Sequence, residues 1–291
     1  MLTSHLVVAL VALVVIGGAT RVMEAGLACP DWPLCYGVLL PGRHMNVQVF
    51  LEWFHRLDAF LVGLALVVLL VASVALRRKL PSWLPWTALL AVGLVAVQGA
   101  LGALTVTRLL AAPMVTAHLA TALLLLLLIS GLDQGLNGKA QSQPRPLWWA
   151  VLPLVPTTLV LAQCVLGGAM ASQWAVDHCF NSGSQCEWVL RHRQLAAPAA
   201  FSVVGMAAIS LLSPLSDPLS RGLASAAAAL VGAQVVLGVL TLHAQLQVAG
   251  LTIGHQLVAA LLVAILGALS GRSLHSGLSR SSVPSFEVSC G

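Results

Sequence analysis

Long apolar stretches alternate with short polar segments along the chain, and this pattern predicts eight membrane-spanning helices. Runs such as Leu123–Ile129 lack the polar–apolar alternation of a barrel strand, which favours helices. Turn-forming residues separate the runs, for example at Pro81 and within 137–146. The predicted spans are residues 5–23, 52–76, 83–107, 111–132, 147–171, 191–212, 222–244 and 252–272.

Composition supports an all-α integral membrane protein. Of 291 residues, 59% are hydrophobic and 8% are charged, whereas soluble domains have about 25% charged residues. Lipid as solvent permits only helices or closed barrels. The net charge of +5 does not indicate nucleic-acid binding, because the basic residues are scattered except for one cluster at 77–79.

The distribution of lysine and arginine predicts that both termini are cytoplasmic. Eight basic residues fall on the predicted inner side and six on the other, where four lie beside candidate site residues. The first ten residues contain no lysine or arginine, so we expect the first helix to be retained and not cleaved as a signal peptide.

An internal duplication is visible in the sequence. The segment QGALGALT at 98–105 recurs as QVVLGVLT at 234–241, and the dipeptide His-Arg at 55–56 recurs at 192–193. Two tandem four-helix bundles in the same orientation, a parallel repeat, are therefore predicted. We divide the chain into an N-terminal half (1–136), a cytoplasmic linker (137–146), a C-terminal half (147–272) and a disordered tail (273–291).

Four histidines take part in this duplication: His55, His118, His192 and His255. Each lies within about two turns of the outer end of an even-numbered predicted helix, and the two in each half are 63 positions apart. An ionisable residue inside a membrane is costly and indicates function. Paired imidazoles at similar depth suit the two axial positions of a haem iron, so we predict one haem site per half, toward the outer side. Hydrogen bonding across the bundle is the structural alternative.

The halves differ beside the histidines. Glu52 lies three residues before His55 on the same helical face, whereas the corresponding position holds Val189. An acid suits a pocket whose ligand is chemically changed, although Glu52 could instead cap the second helix. Arg56 and Arg193 directly follow histidines and are candidate partners for haem propionates; snorkelling to the interface is the alternative.

Two cysteine pairs fall in predicted outer loops, where disulfides persist. Cys29 pairs with Cys35, and Cys179 with Cys186. Either pair could be a structural staple or have a redox role. A zinc site is disfavoured because neither loop contains a compact set of four ligands.

The residues then resemble a known family. The segments Gly17–Arg21, Gly26–Gly37 and Gln98–Val106, with Glu52-x-x-His55-Arg56, are similar to haem A synthases of the bacterial type that carry the N-terminal cysteine pair. The resemblance covers essentially the whole chain. Its most specific part is the Cys-Pro-Asp-Trp-Pro-Leu-Cys loop followed by Glu-x-x-His-Arg.

This resemblance implies an oxidoreductase of the bacterial cytoplasmic membrane that oxidises the C8 methyl of haem o to a formyl group, giving haem a for cytochrome oxidase. It implies that His55 and His118 flank the substrate haem o, that His192 and His255 ligate a haem b cofactor, and that Glu52 is catalytic. The Cys29–Cys35 pair matches a loop disulfide with a suggested redox role.

The expected partners are haem o and haem a, with a functional link to haem o synthase and cytochrome oxidase assembly and an unidentified electron donor or acceptor. Oligomeric state stays open, because small residues on helices one and five suit contacts within or between chains. A two-haem b-type electron-transfer cytochrome is the alternative function, disfavoured by Glu52 and the cysteine loops. A transporter with a parallel repeat would place polar residues near mid-membrane instead.

Overall fold

The computed structural model describes residues 1–137, 146–170 and 187–278, with side chains described up to Leu274. Its regular elements are helices, and eight segments of the described chain are long and apolar enough to span a membrane, so the predicted all-helical class is confirmed. The helices are α1 (Leu2–Val22), a short 3₁₀ helix (Gly42–His44), α2 (Val47–Ala75), α3 (Leu84–Thr107), α4 (Ala112–Asn137), α5 (Leu147–Val151), α6 (Leu154–Met170), α7 (Glu187–Leu212), α8 (Pro218–His243) and α9 (Ala249–Leu278).

Several helices extend beyond their predicted apolar cores because polar residues cap them. The Asn46 side chain accepts a hydrogen bond from the Val49 amide at 2.9 Å, so α2 begins five residues before the predicted span. Asp217 caps α8 in the same way. At the other end, α9 continues to Leu278, so the first six residues of the predicted tail are helical.

The fifth span consists of two helices, α5 and α6, and not the single helix that was predicted. Pro153 lies between them and has no amide hydrogen to donate to the preceding turn. Together the two helices still cover Leu147–Met170, which is long enough to cross the membrane.

The centre of the molecule is the contact between α4 and α9. A Cβ atom added to Gly271 would lie 2.2 Å from the carbonyl oxygen of Gly131, and one added to Gly267 would lie 2.7 Å from that of Leu127. Only glycine permits backbones to approach this closely in lipid. Fully buried leucines, among them Leu126 and Leu266, pack around the crossing.

A polar cluster ties together the end of the bundle where α1 begins. Thr3 and Ser4 donate to the Asp133 carboxylate at 2.7 and 2.8 Å, and Arg272 on α9 donates to the neighbouring Gln134 at 3.0 Å and to Asp217 at 2.8 Å. Burial would raise the pKa of Asp217, but hydrogen bonds from Ser220 and the charge of Arg272 outweigh burial and lower it to about 2. The start of α1 and the described end of α9 therefore lie at the same end of the bundle.

The turns that follow α3 and α8 have the same geometry. Leu109 and Leu110 have positive φ, as do Gln245 and Leu246 at the corresponding positions. In the first turn the Leu110 amide donates to Thr105 at 2.7 Å, and in the second the Leu246 amide donates to Thr241 at 3.0 Å. This match supports the predicted duplication, which stays a prediction, as do the domain boundaries.

Candidate haem and catalytic site

Each of the four candidate histidines packs against a glycine of the helix that precedes its own. A Cβ atom at these glycines would lie 2.8 to 3.5 Å from a ring carbon of the histidine. The pairs are His55 with Gly17, His118 with Gly102, His192 with Gly167, and His255 with Gly238. The glycines thus leave room for the imidazole rings, a role that the sequence analysis did not assign to them.

The geometry of the first pair fits two imidazole ligands on one metal ion. The rings of His55 and His118 have centroids 6.4 Å apart and lie edge to face at 74°. An imidazole nitrogen binds a metal ion at about 2 Å, so the centroids of two rings on one ion lie about 6 Å apart. The donor set therefore fits a haem.

The second pair has polar neighbours instead. The amide nitrogen of Gln163 lies 3.2 Å from Nε2 of His192, and that of Gln234 lies 3.2 Å from Nε2 of His255. A glutamine amide can donate through its nitrogen or accept through its oxygen, so each of these rings has a hydrogen-bonding neighbour at Nε2 on the preceding helix. A metal ion bound at Nε2 would take the place of that neighbour.

The equivalent positions in the first half differ. Leu13 stands four residues before Gly17, where Gln163 stands four residues before Gly167. Gln98 stands four residues before Gly102, but its side-chain oxygen accepts a hydrogen bond from the Thr121 hydroxyl. A glutamine at this spacing before glycine recurs at 98, 163 and 234. This spacing is a sequence signal for these residues, of which only Gln98 and Gln234 belong to the repeated segments named above.

Glu52 is almost fully buried, with 4% of its surface exposed. Its carboxylate accepts from the backbone amide of Cys29 at 2.7 Å and from the Arg56 guanidinium at 2.6 Å. Since α2 begins at Val47 and is capped by Asn46, Glu52 is not the helix cap considered from the sequence. The carboxylate instead connects α2 to the cysteine loop, one turn before His55.

The cysteine loop, residues 29–35, closes over this carboxylate. Cys29 and Cys35 form a disulfide, with Cα atoms 4.8 Å apart, and both side chains are buried. The Arg56 guanidinium donates to the backbone oxygens of Asp31, at 2.6 Å, and Leu34. The contact between Arg56 and this loop could not be predicted from the sequence.

The corresponding region of α7 has no buried pair of glutamate and arginine among the described residues. Val189 occupies the place of Glu52. Glu187 and Arg191 form an ion pair with the same spacing, but the two side chains are 70% and 55% exposed. Arg193 is also exposed. The predicted Cys179–Cys186 pair lies outside the described residues.

A cavity of about 290 Å³ lies away from the histidines, between α1, α4 and α9. Its lining includes Val7 and Val11 on α1, Ser130 and Asp133 on α4, and Ile265 on α9. Asp133 belongs to the polar cluster at the opposite end of the bundle, so this cavity is not the candidate site.

The described fold is that of an integral membrane protein whose four candidate histidines pack on glycines of neighbouring helices, and one of them, His55, lies one turn from a buried carboxylate. The family model described as cytochrome oxidase assembly protein (COX15-CtaA) matches residues 1–266, and the chain belongs to this family.

Three of the similar curated proteins are named heme A synthase. That of Shewanella oneidensis is 34% identical over 185 residues, covering 57% of this chain and 54% of the relative. That of Caulobacter vibrioides is 29% identical over 320 residues, covering 90% and 92%. That of Sphingopyxis alaskensis is also 29% identical over 320 residues, covering 90% and 88%.

Proposed function

We propose that this chain is a haem A synthase, an oxidoreductase that converts the C8 methyl of haem o to a formyl group and supplies haem a for cytochrome oxidase. The observation that carries the proposal is the buried Glu52 carboxylate, which lies beside one histidine pair and has no counterpart beside the other among the residues that the structure describes. Membership of the cytochrome oxidase assembly family and the names of the relatives support it.

The two pairs of histidines have different tasks in this proposal. His55 and His118 would flank the substrate haem o, and His192 and His255 would hold a resident haem b. When bound, haem b supplies one-electron redox chemistry. Gln163 and Gln234 lie 3.2 Å from Nε2 of these histidines, and a metal ion bound at Nε2 would replace the two amides there.

The reaction removes two electrons from the substrate methyl twice. Conversion of a methyl and one water to a formyl releases four electrons and four protons, so the chain needs an electron partner and a group that handles protons. Glu52 is fixed by the Cys29 amide and Arg56, and we assign it the proton transfers or the stabilisation of positive charge at the methyl carbon.

The cysteine loop completes the pocket. It covers Glu52 through the contacts that Arg56 makes with the backbone oxygens of Asp31 and Leu34. We assign the Cys29–Cys35 disulfide the task of holding the Cys29 amide on the carboxylate. Arg56 then acts on the substrate through Glu52 and the loop and not as a propionate partner.

The proposed location is the bacterial cytoplasmic membrane, with both pockets toward its outer side. A chain with this activity must receive haem o from a haem o synthase in the same membrane and pass haem a to cytochrome oxidase assembly. The proposed outer-side location of the pockets rests on the four histidines, which all lie near the same end of the bundle.

Extraction of haems from cells that make this chain together with a source of haem o tests the proposal. We expect haem a to appear, and cells that carry Glu52→Gln instead should contain haem o and haem b but no haem a. Wild-type cells with intact haem b and unconverted haem o would favour the two-haem electron-transfer cytochrome.

A further inference from the structure

The substrate pocket needs a cationic partner for the haem propionates, and the two arginines considered from the sequence do not supply one there. The Arg56 guanidinium is occupied by Glu52 and by the backbone oxygens of Asp31 and Leu34. Arg193 lies on α7, in the other half of the molecule, and is exposed. A third arginine must therefore be sought near His55.

Arg21 lies in the last turn of α1, four residues after Gly17. Residues four apart share a helical face, so Arg21 is one turn, about 6 Å, beyond the glycine against which His55 packs. The arginine side chain is partly buried, and it makes no hydrogen bond or ion pair with any residue that the structure describes.

A partly buried guanidinium without an acceptor from the protein is suited to an anion. Its planar donors match a carboxylate in a bidentate arrangement. We propose that Arg21 is the residue that binds a propionate carboxylate of the substrate haem in the N-terminal pocket. This rests on the proposed function only in that the N-terminal pocket receives a haem.

Only the first copy of the repeat has an arginine at this position. The position four residues after Gly167 is Ala171, so the C-terminal half has no equivalent guanidinium in its sequence. Arg21 therefore distinguishes substrate from cofactor binding. Stabilisation of the α1 dipole is a simpler role for a basic residue at a helix C-terminus, and the experiment must separate the two.

Esterification of the substrate removes the carboxylates without any change to the protein. We would titrate the purified chain, loaded with haem b, with haem o and with haem o dimethyl ester, and follow binding optically. Wild type should bind the free acid about 10- to 100-fold more tightly than the diester, the range expected for a charged hydrogen bond.

Arg21→Gln should bind both forms equally, at the affinity that wild type shows for the diester, and Arg21→Lys should recover part of the preference. Arg43→Gln, which alters an exposed arginine on the 3₁₀ helix, is the matched control and should behave as wild type. Haem b content reports whether each variant is folded, because Arg21 does not lie in that pocket.

A wild-type preference for the free acid that persists in Arg21→Gln would overturn the proposal. If Arg21→Gln fails to fold, equal binding of acid and diester by wild type overturns it without any variant. Failure of the proposed function gives a different result. In that case no haem a forms, but a preference for the free acid that depends on Arg21 can still be measured.

Discussion

The N-terminal and C-terminal pockets have the same frame but different polar groups. In both, a histidine packs against a glycine of the preceding helix. In the N-terminal half the two ring centroids lie 6.4 Å apart and a buried acid lies one turn away; in the C-terminal half each ring has an amide neighbour at 3.2 Å. An acid suits a ligand that is transformed, whereas neutral donors suit a ligand that is retained.

The Glu–Arg pairs of α2 and α7 show how small a shift produces this difference. Glu52 and Arg56 are four residues apart, as are Glu187 and Arg191, but the second pair stands two positions earlier relative to its histidine. Two residues correspond to about 200° around a helix, so the second pair faces outward. Its charges are therefore exposed, and a carboxylate cannot serve the second pocket from that position.

The largest expected effect separates the two histidine pairs. The double variant His192→Ala and His255→Ala should be purified without haem b, because both axial ligands are lost. The matched double variant His55→Ala and His118→Ala should retain haem b in full and lose haem o binding. Optical spectra of the purified proteins measure both, and haem b retained in the first variant would reverse or abolish the assignment of the halves.

Glu52→Gln should come next in size. Loss of a positioned acid–base group lowers a rate by about 100- to 10,000-fold, so haem a formation should fall by that factor while haem b content stays constant. Glu187→Gln alters the exposed carboxylate of the other half and should form haem a at the wild-type rate. Equal rates for Glu52→Gln and wild type would leave Glu52 with a structural role only.

The two ion pairs should also differ in their contribution to stability. Arg56→Met leaves the buried Glu52 without its charged partner and should cost about 3–5 kcal/mol of unfolding free energy. Arg191→Met breaks the exposed pair and should cost about 0–1 kcal/mol. Denaturation of the two variants in the same detergent measures the difference, and similar losses would show that the cysteine loop does not depend on Arg56.

The smallest effects concern the glycines. Gly17→Ala brings a Cβ atom to 2.8 Å from His55 and should weaken haem o binding, whereas Gly167→Ala brings one to 3.0 Å from His192 and should weaken haem b retention. Gly93→Ala meets no atom within 4 Å and should stabilise α3 by about 0.5–1 kcal/mol. Haem titrations decide whether each alanine disturbs only its own pocket.

The sequence by itself determined the class of protein and the number of spans, and it singled out the four candidate histidines. Lipid forces backbone hydrogen bonds to be satisfied within helices, so apolar length alone indicates a span. The duplication likewise shows in one dimension, because matching residues keep a constant offset. The predicted starts of α2 and α8 were too late, since capping by Asn46 and Asp217 depends on local hydrogen bonds that hydropathy does not measure.

Only the tertiary structure decided how the polar groups are shared among the pockets. Arg56 follows a histidine in sequence, yet its guanidinium lies against the cysteine loop, because Glu52 and the backbone oxygens of Asp31 and Leu34 converge there. Arg21, far from any histidine in sequence, comes within a turn of the His55 contact because α1 packs on α2 at Gly17. Contacts between helices bring together residues at long sequence separation, and no pattern along a single helix records them.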